Sequence, residues 1–76
     1  MPAYRLDMAF ERDRADAPPL RTAQDQCRYE VETRAIRAHA TGTSEIELRL
    51  IGKLTESCMR AKGYRATRNR VVRAAP

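Results

Sequence analysis

The chain has 76 residues and a formal net charge of +5, which allows a single domain with a small apolar core. No apolar stretch approaches the roughly 18 residues of a transmembrane helix, so we expect no membrane span. Residues 1–56 carry nine basic and ten acidic side chains, whereas residues 57–76 carry six basic and no acidic ones. The positive charge therefore belongs to the C-terminal end. A chain this short also indicates a need for a covalent cross-link or a partner.

The N-terminal segment alternates between apolar and other side chains, which is the period of a strand with one apolar face. The residues on that face are Tyr4, Leu6, Met8 and Phe10. Three interpretations are open. The segment pairs with residues 67–73, adds to the sheet edge of a neighbouring protein, or is a disordered arm with chance alternation. We assign the four apolar residues to partner binding.

A charged segment, residues 11–21, follows and contains Pro18 and Pro19. A double proline favours extended backbone. We therefore predict that residues 1–21 form an extended arm and a proline-containing linker. Residues 1–7 have no basic region followed by an apolar one, so we do not expect them to act as a signal peptide.

The first predicted helix covers about residues 22–41. Thr22 with Asp25 three residues later is a weak variant of the capping box. Gly42 is predicted to end the helix in the left-handed conformation that glycine adopts without steric cost.

The second predicted helix covers about residues 44–62. Ser44 and Glu47 form a full S-x-x-E capping box, and Gly63 is the predicted stop. Two helices of similar length joined by a tight turn form an antiparallel hairpin. The expected fold class is therefore all-α: a two-helix hairpin over residues 22–63, with the N-terminal arm and a basic C-terminal tail.

Cys27 and Cys58 lie equally far from the predicted turn, with their midpoint between Gly42 and Thr43. In an antiparallel hairpin such residues lie level with each other, so we predict one structural disulfide, with a redox switch or two free thiols as the alternatives. Closing a loop of about 32 residues would stabilise the hairpin by roughly 3.5–4 kcal/mol in the chain-entropy description. A disulfide in so short a chain also favours an oxidising compartment.

The predicted hairpin interface places small side chains of the first helix against larger ones of the second. The residues on these two faces are Cys27, Val31, Ala35 and Ala38, and Leu50, Ile51, Leu54, Cys58 and Ala61. A second apolar stripe remains on the opposite side of the first helix, with Tyr29, Ile36 and Ala40, while Ile46 and Met59 flank the second helix's buried face. We interpret Tyr29 and Ile36 as partner-binding residues rather than as scattered surface apolar residues.

The basic tail, residues 64–76, carries the arginines that could contact phosphates or an acidic partner: Arg65, Arg68, Arg70 and Arg73. Binding to nucleic acid through such charges would depend steeply on salt concentration. The tail contains no recognised nucleic-acid-binding motif. We therefore treat nucleic acid as an alternative partner and other protein subunits as the main one.

No catalytic constellation is evident in the sequence. His39 is the only histidine, and it lies about 18 Å or more along a helix from either cysteine. That separation excludes a Cys–His nucleophile pair and a four-ligand zinc site. There is also no CxxC, glycine-rich phosphate loop or HExxH motif. We expect a protein that is not an enzyme and has no metal or cofactor.

Residues 27–30 (CRYE) and residues 58–64 (CMRAKGY), separated by a helix and a turn, resemble a pattern in small bacterial envelope proteins and lipoproteins. Similar short proteins are encoded in phages. The resemblance covers half the chain and implies a disulfide-linked helical hairpin. This chain departs from the pattern because it has no lipidation cysteine, and its N-terminal arm and basic tail are additional.

These observations predict a small structural or accessory subunit that docks on neighbouring chains of a large assembly. The expected setting is an extracellular particle, a phage virion, in which the chain would be a connector, tail or capsid accessory protein. A bacterial periplasmic or envelope complex is the first alternative. A basic nucleic-acid-binding peptide is the second.

Overall fold

The computed structural model of the protein describes residues 3–39 and 44–74. Its four elements, in chain order, are β1 (Tyr4–Arg12), α1 (Leu20–Arg37), α2 (Glu45–Ala61) and β2 (Tyr64–Arg73). The two strands form one antiparallel sheet, α2 packs on this sheet, and α1 packs mainly on α2. The fold is therefore α+β, and the prediction of an all-α helical hairpin with two extended arms is wrong.

The sheet joins the two segments that were predicted to be an arm and a tail. Of the three interpretations of the N-terminal segment, pairing with residues 67–73 is the one that the structure shows. Tyr4 faces Arg73 at one end and Arg12 faces Tyr64 at the other, with a β-bulge opposite Ala9 and Phe10. The bulge adds one residue to β2 and changes which side of the sheet its alternate residues face. A regular two-residue period is therefore absent from β2. For this reason the sequence predicted a charged tail rather than a strand.

Helix α1 begins at Leu20, directly after Pro19, and no side chain caps it. The capping role expected of Thr22 is therefore wrong. The helix ends at Arg37, and His39 takes a left-handed backbone conformation with φ of 57°. The prediction that the helix continues to about residue 41 is therefore wrong at Ala38 and His39, and its remainder, with the cap at Gly42, lies outside the described residues.

Helix α2 begins where the capping box predicts. The Ser44 hydroxyl oxygen accepts a 3.1 Å hydrogen bond from the backbone N–H of Glu47, and its hydroxyl donates one of 2.9 Å to the Glu47 carboxylate. The helix ends at Ala61, and Gly63 has a φ of +99°. Glycine is suited to this conformation because it has no Cβ. The predicted stop at Gly63 is therefore confirmed.

The buried face of α2 differs from the predicted one because the sheet covers this helix. Its buried residues are Leu48, Gly52 and Met59, whereas Leu50, expected in the hairpin interface, is 42% exposed. Gly52 lies against the sheet, where Asn69 Nδ2 donates a 3.3 Å hydrogen bond to its carbonyl oxygen. On α1 the prediction is closer, since Cys27, Val31 and Ala35 are all buried, but Ala38 is exposed.

The core lies at the end of the molecule where the linker, both helices and β2 meet. Its buried members are Ala17, Ala23, Cys27, Met59 and Tyr64, with Phe10 and Cys58 packed against them. Cys27 and Cys58 form a disulfide that joins α1 to α2, with their Cα atoms 5.7 Å apart. The linker belongs to this core: Asp13 and Arg14 both donate backbone hydrogen bonds to the carbonyl of Gly63.

Candidate protein-interaction site

The apolar residues of β1 face the protein's own helices rather than extending away from them. Leu6, Met8 and Phe10 line a groove of about 430 Å³ whose other apolar walls are Val31 on α1 and Ile51 on α2. These side chains are partly buried, so helices of the same chain cover them in part. The rest of this apolar surface is accessible to solvent through the groove.

Tyr4 stands at the start of the same strand, opposite Arg73, and is also partly buried. Because successive strand residues point to opposite faces, Tyr4 shares the face of Leu6, Met8 and Phe10. All four proposed partner-binding residues of the N-terminal segment therefore lie on the helix-facing side of the sheet.

Both helices expose large apolar side chains. Tyr29 and Ile36 on α1 are 75% and 73% exposed, and Ile46 on α2 is 81% exposed. Ile36 is in the last turn of α1 and Ile46 in the first turn of α2. These two isoleucines therefore lie at the end of the molecule away from the disulfide and the core. Ile46 was not assigned a site role from the sequence, where it stood only as a flanking residue of α2.

The arginines of β2 are largely paired with acids of β1 on the outer face of the sheet. Asp7 accepts hydrogen bonds from Arg68 Nε at 2.9 Å and Arg70 Nε at 3.0 Å. Arg65 donates to the Glu11 carboxylate at 2.8 Å. Arg73 makes no ion pair within the described parts of the chain. The predicted basic tail is thus one strand of a sheet. The acidic residues of the other strand neutralise part of its positive charge.

Asp7 is the centre of this ion-pair cluster, and its side chain is only 16% exposed. The hydrogen bond from Arg70 is the main cause that lowers the pKa of Asp7, with Arg68 adding to it, while burial acts in the opposite direction. Asp7 is therefore held in its charged form. Sequence reasoning missed the roles of Asp7 and Glu11, although their positions on the non-apolar face of an alternating strand could have indicated them.

The disulfide is enclosed on the Cys27 side and partly accessible on the Cys58 side. Cys27 has no exposed surface, whereas Cys58 is partly buried. A carboxylate oxygen of Glu30 lies 3.0 Å from the sulfur of Cys58. This contact is not a hydrogen bond, because a disulfide sulfur has no hydrogen to donate. The cross-link acts mechanically, by holding α1 against α2.

Among the described residues, no three side chains of the His, Cys, Asp and Glu types are grouped as a metal site would require. Across residues 3–39 and 44–74, no helix is both long and apolar enough to cross a membrane. What the described residues do present is an open apolar groove, exposed apolar side chains on both helices and a charged outer sheet face.

Comparison with known proteins gives no relative from which a function could be transferred. No protein-family model, no curated protein and no solved structure matches this chain.

Proposed function

We propose that this protein is a small, non-enzymatic structural or accessory subunit that docks on neighbouring protein chains of a large assembly. The observation that carries the proposal is the exposure of Tyr29, Ile36 and Ile46 on the helices. The assembly we favour is a phage virion, in which the chain would be a connector, tail or capsid accessory protein.

The distribution of apolar residues supports a docking role. The chain has three isoleucines, and two of them, Ile36 and Ile46, are exposed by 73% and 81%. Alanines meanwhile occupy several buried positions, including Ala23 in the core. Large aliphatic side chains stabilise a fold most when they are buried. Their exposure beside so small a core therefore favours a partner protein that covers these isoleucines.

The disulfide supports the choice of setting. Disulfides persist in oxidising surroundings and are rare in proteins of the reducing cytosol. A virion outside the cell provides such surroundings, and so does a bacterial periplasmic or envelope complex. The envelope complex is therefore the alternative setting for the same docking role.

The first test is sedimentation of native material through a density gradient, following this chain by mass spectrometry with differential thiol labelling. We expect the chain to travel with a large particle and its cysteines to be blocked from labelling. A chain that stays small, with both thiols free to react, would contradict the proposal.

A variant comparison then tests the helix surface itself. Ile36→Arg and Ile46→Glu place charges that suit the C-terminal end of α1 and the N-terminal end of α2, so the helices should be preserved. The combined variant is expected to be lost from the particle. The matched control combines Ala15→Glu and Ala61→Arg, which add the same two charges at exposed positions away from Tyr29, Ile36 and Ile46, and it should be retained. Equal retention of both variants would contradict docking through these isoleucines.

The competing proposal is a basic nucleic-acid-binding peptide. It is favoured by a cleft of about 450 Å³ beside β2, lined in part by Arg49, Lys53 and Arg70. Against it stand the ion pairs that Arg70 and Arg49 already make, with Asp7 and Glu45 respectively. The test is duplex-DNA binding by the whole chain across a salt series. Steeply salt-dependent binding would support this function, and no binding at low salt would exclude it.

A further inference from the structure

The outer edge of β1 has no neighbouring strand within the described residues, where the sheet consists of β1 and β2 alone. The amide of Ala74 donates to the carbonyl of Ala3, and the amide of Asp13 donates to the carbonyl of Gly63. Along an antiparallel strand the N–H and C=O groups of successive residues point to opposite edges. The odd-numbered residues of β1 therefore direct their hydrogen-bonding groups to β2. The even-numbered residues of β1 therefore present their N–H and C=O groups at the free edge.

We propose that two copies of this chain associate through the free edge of β1, antiparallel and about a twofold axis at Met8, to form a four-stranded sheet. In this register each residue faces the one equally far on the other side of Met8. Every even-numbered residue then meets another even-numbered residue. The unpaired backbone donors and acceptors of the two edges therefore match, with two hydrogen bonds for each such facing pair.

The charges on the outer sheet face are complementary in this register. Arg5 faces Glu11 of the second copy, and the twofold axis repeats the contact. Arg5 is exposed and makes no ion pair within the described residues. Glu11 uses one carboxylate oxygen to accept from Arg65, and its second oxygen can accept a further bond. Opposite charges facing each other across strands stabilise their pairing.

The helix-facing side is complementary as well, because its apolar residues meet apolar residues. Leu6 faces Phe10 of the second copy, and Met8 faces its own counterpart. These three residues line the groove of about 430 Å³ to which no described residue of β2 contributes, so the groove lies toward the free edge of β1. Association would join the two grooves and bury side chains that each copy leaves half-covered.

Neighbouring registers that also match the backbone groups are less favourable. With the twofold axis at Asp7, the two Asp7 carboxylates would face each other. With the axis at Ala9, Asp7 of one copy would face Glu11 of the other. Like charges facing each other across strands are destabilising. An axis at Leu6 pairs only the first half of β1 and leaves Phe10 without a partner. The strand is therefore self-complementary about Met8, which identifies a second copy, rather than an unrelated strand, as the occupant of this edge.

The test is sedimentation equilibrium of the full chain from micromolar to millimolar concentration. We expect a monomer of 8.7 kDa to pass into a species of twice that mass. Arg5→Glu makes both members of the facing charge pair acidic, and Glu11→Lys makes both basic. Each variant alone should dimerise about tenfold more weakly, because two attractive contacts become repulsive. An equimolar mixture of the two variants should form a heterodimer at least as well as the parent associates.

The matched control is Arg21→Glu, which makes the same charge change as Arg5→Glu at an exposed position in the first turn of α1 and should leave dimerisation unchanged. Amide hydrogen exchange locates the interface. The amides of Leu6, Met8 and Phe10 should become protected as concentration rises, whereas that of Asp7 should be protected throughout.

A chain that remains monomeric at millimolar concentration would overturn the proposal. So would variants that dimerise as well as the parent, or a dimer in which the even-numbered β1 amides exchange freely. The result is independent of the helix-docking role, since the dimer uses the sheet edge and the particle test uses Ile36 and Ile46.

Discussion

The hydroxyl of Tyr64 donates a 2.6 Å hydrogen bond to the backbone carbonyl oxygen of Pro18. Tyr64 is the first residue of β2 and is 3% exposed, while Pro18 lies in the linker just before α1. The guanidinium of Arg12 lies 6.0 Å from the centre of the tyrosine ring. One side chain therefore links the sheet, the linker and the entry to α1, at a position that the sequence presents only as the start of a basic tail.

Tyr64→Phe is expected to lower the free energy of unfolding by about 1 kcal/mol, because it removes a hydrogen bond and leaves a shielded carbonyl without its donor. Tyr64→Ala should cost about 3–5 kcal/mol, because it also removes the buried ring from the core. Urea denaturation followed by circular dichroism measures both. A phenylalanine variant as stable as the parent would show that the bond to Pro18 makes no net contribution.

Removing the disulfide, by changing Cys27 and Cys58 together to alanine, should lower the free energy of unfolding by roughly 3.5–4 kcal/mol, since the unfolded chain regains the freedom of the closed loop. The bond spans a sequence separation of 31. Urea denaturation is again the measurement, with and without a reducing agent. The reducing agent should destabilise the parent and leave the double variant unaffected. Equal stability of parent and variant would contradict the stapling role.

Gly63→Ala is expected to destabilise the fold by at least about 1–2 kcal/mol, because an L-residue is strained at positive φ. The new methyl group would also lie 2.8 Å from the Cβ of the buried Ala17. Gly52→Ala is the comparison: its methyl group would meet only side-chain atoms, Asn69 Oδ1 at 2.7 Å and Leu6 Cδ1 at 3.2 Å. Moving Asn69 would cost its hydrogen bond to the Gly52 carbonyl, but there is no backbone strain, and alanine gains about 1 kcal/mol of helix propensity. Thermal unfolding should rank Gly63→Ala clearly below Gly52→Ala. The reverse order would contradict the conformational argument.

The lowered pKa of Asp7 predicts how the free energy of unfolding depends on pH. Its pKa is lowered in the folded protein, chiefly by the hydrogen bond from Arg70, so the unfolded chain binds the proton more tightly. The resulting stabilisation is fully present above the ordinary pKa of 3.8 and is lost as the pH falls through the lower pKa of the folded state. Asp7→Asn should be less stable than the parent at neutral pH, and the two should converge in strong acid. Denaturant titrations across this range test it, and parallel profiles for the two proteins would refute it.

The sequence predicted well those features that depend on a few neighbouring residues. The Ser44–Glu47 capping box and the Gly63 stop were correct because each follows from local backbone chemistry. The disulfide was also expected, since Cys27 and Cys58 are symmetric about the turn between the helices. The apolar face of β1 followed from its unbroken alternation.

The sheet stood only as one of three interpretations of the N-terminal segment and was not chosen, because its evidence is distributed between the two ends of the chain. Nothing near Arg68 or Arg70 in the sequence shows that Asp7, more than sixty residues away, accepts hydrogen bonds from both. The bulge also changes the side on which alternate β2 residues lie, so no simple period remains. Once the sheet is present, it covers a side of α2 that a two-helix hairpin would leave open. For this reason Met59 is buried and Leu50 is exposed.

The pairing of β1 with β2 brings the first strand of the chain beside the last, so that Tyr4 faces Arg73. While the chain folds, α1 and α2 are near each other in sequence and can meet early, whereas β1 has no intramolecular partner strand until the distant β2 reaches it. Non-local pairing of this kind forms late, because the cost of closing a long loop precedes the gain from the contacts. Until then both edges of β1 are unpaired, so its backbone groups and apolar side chains are open to another copy of the chain.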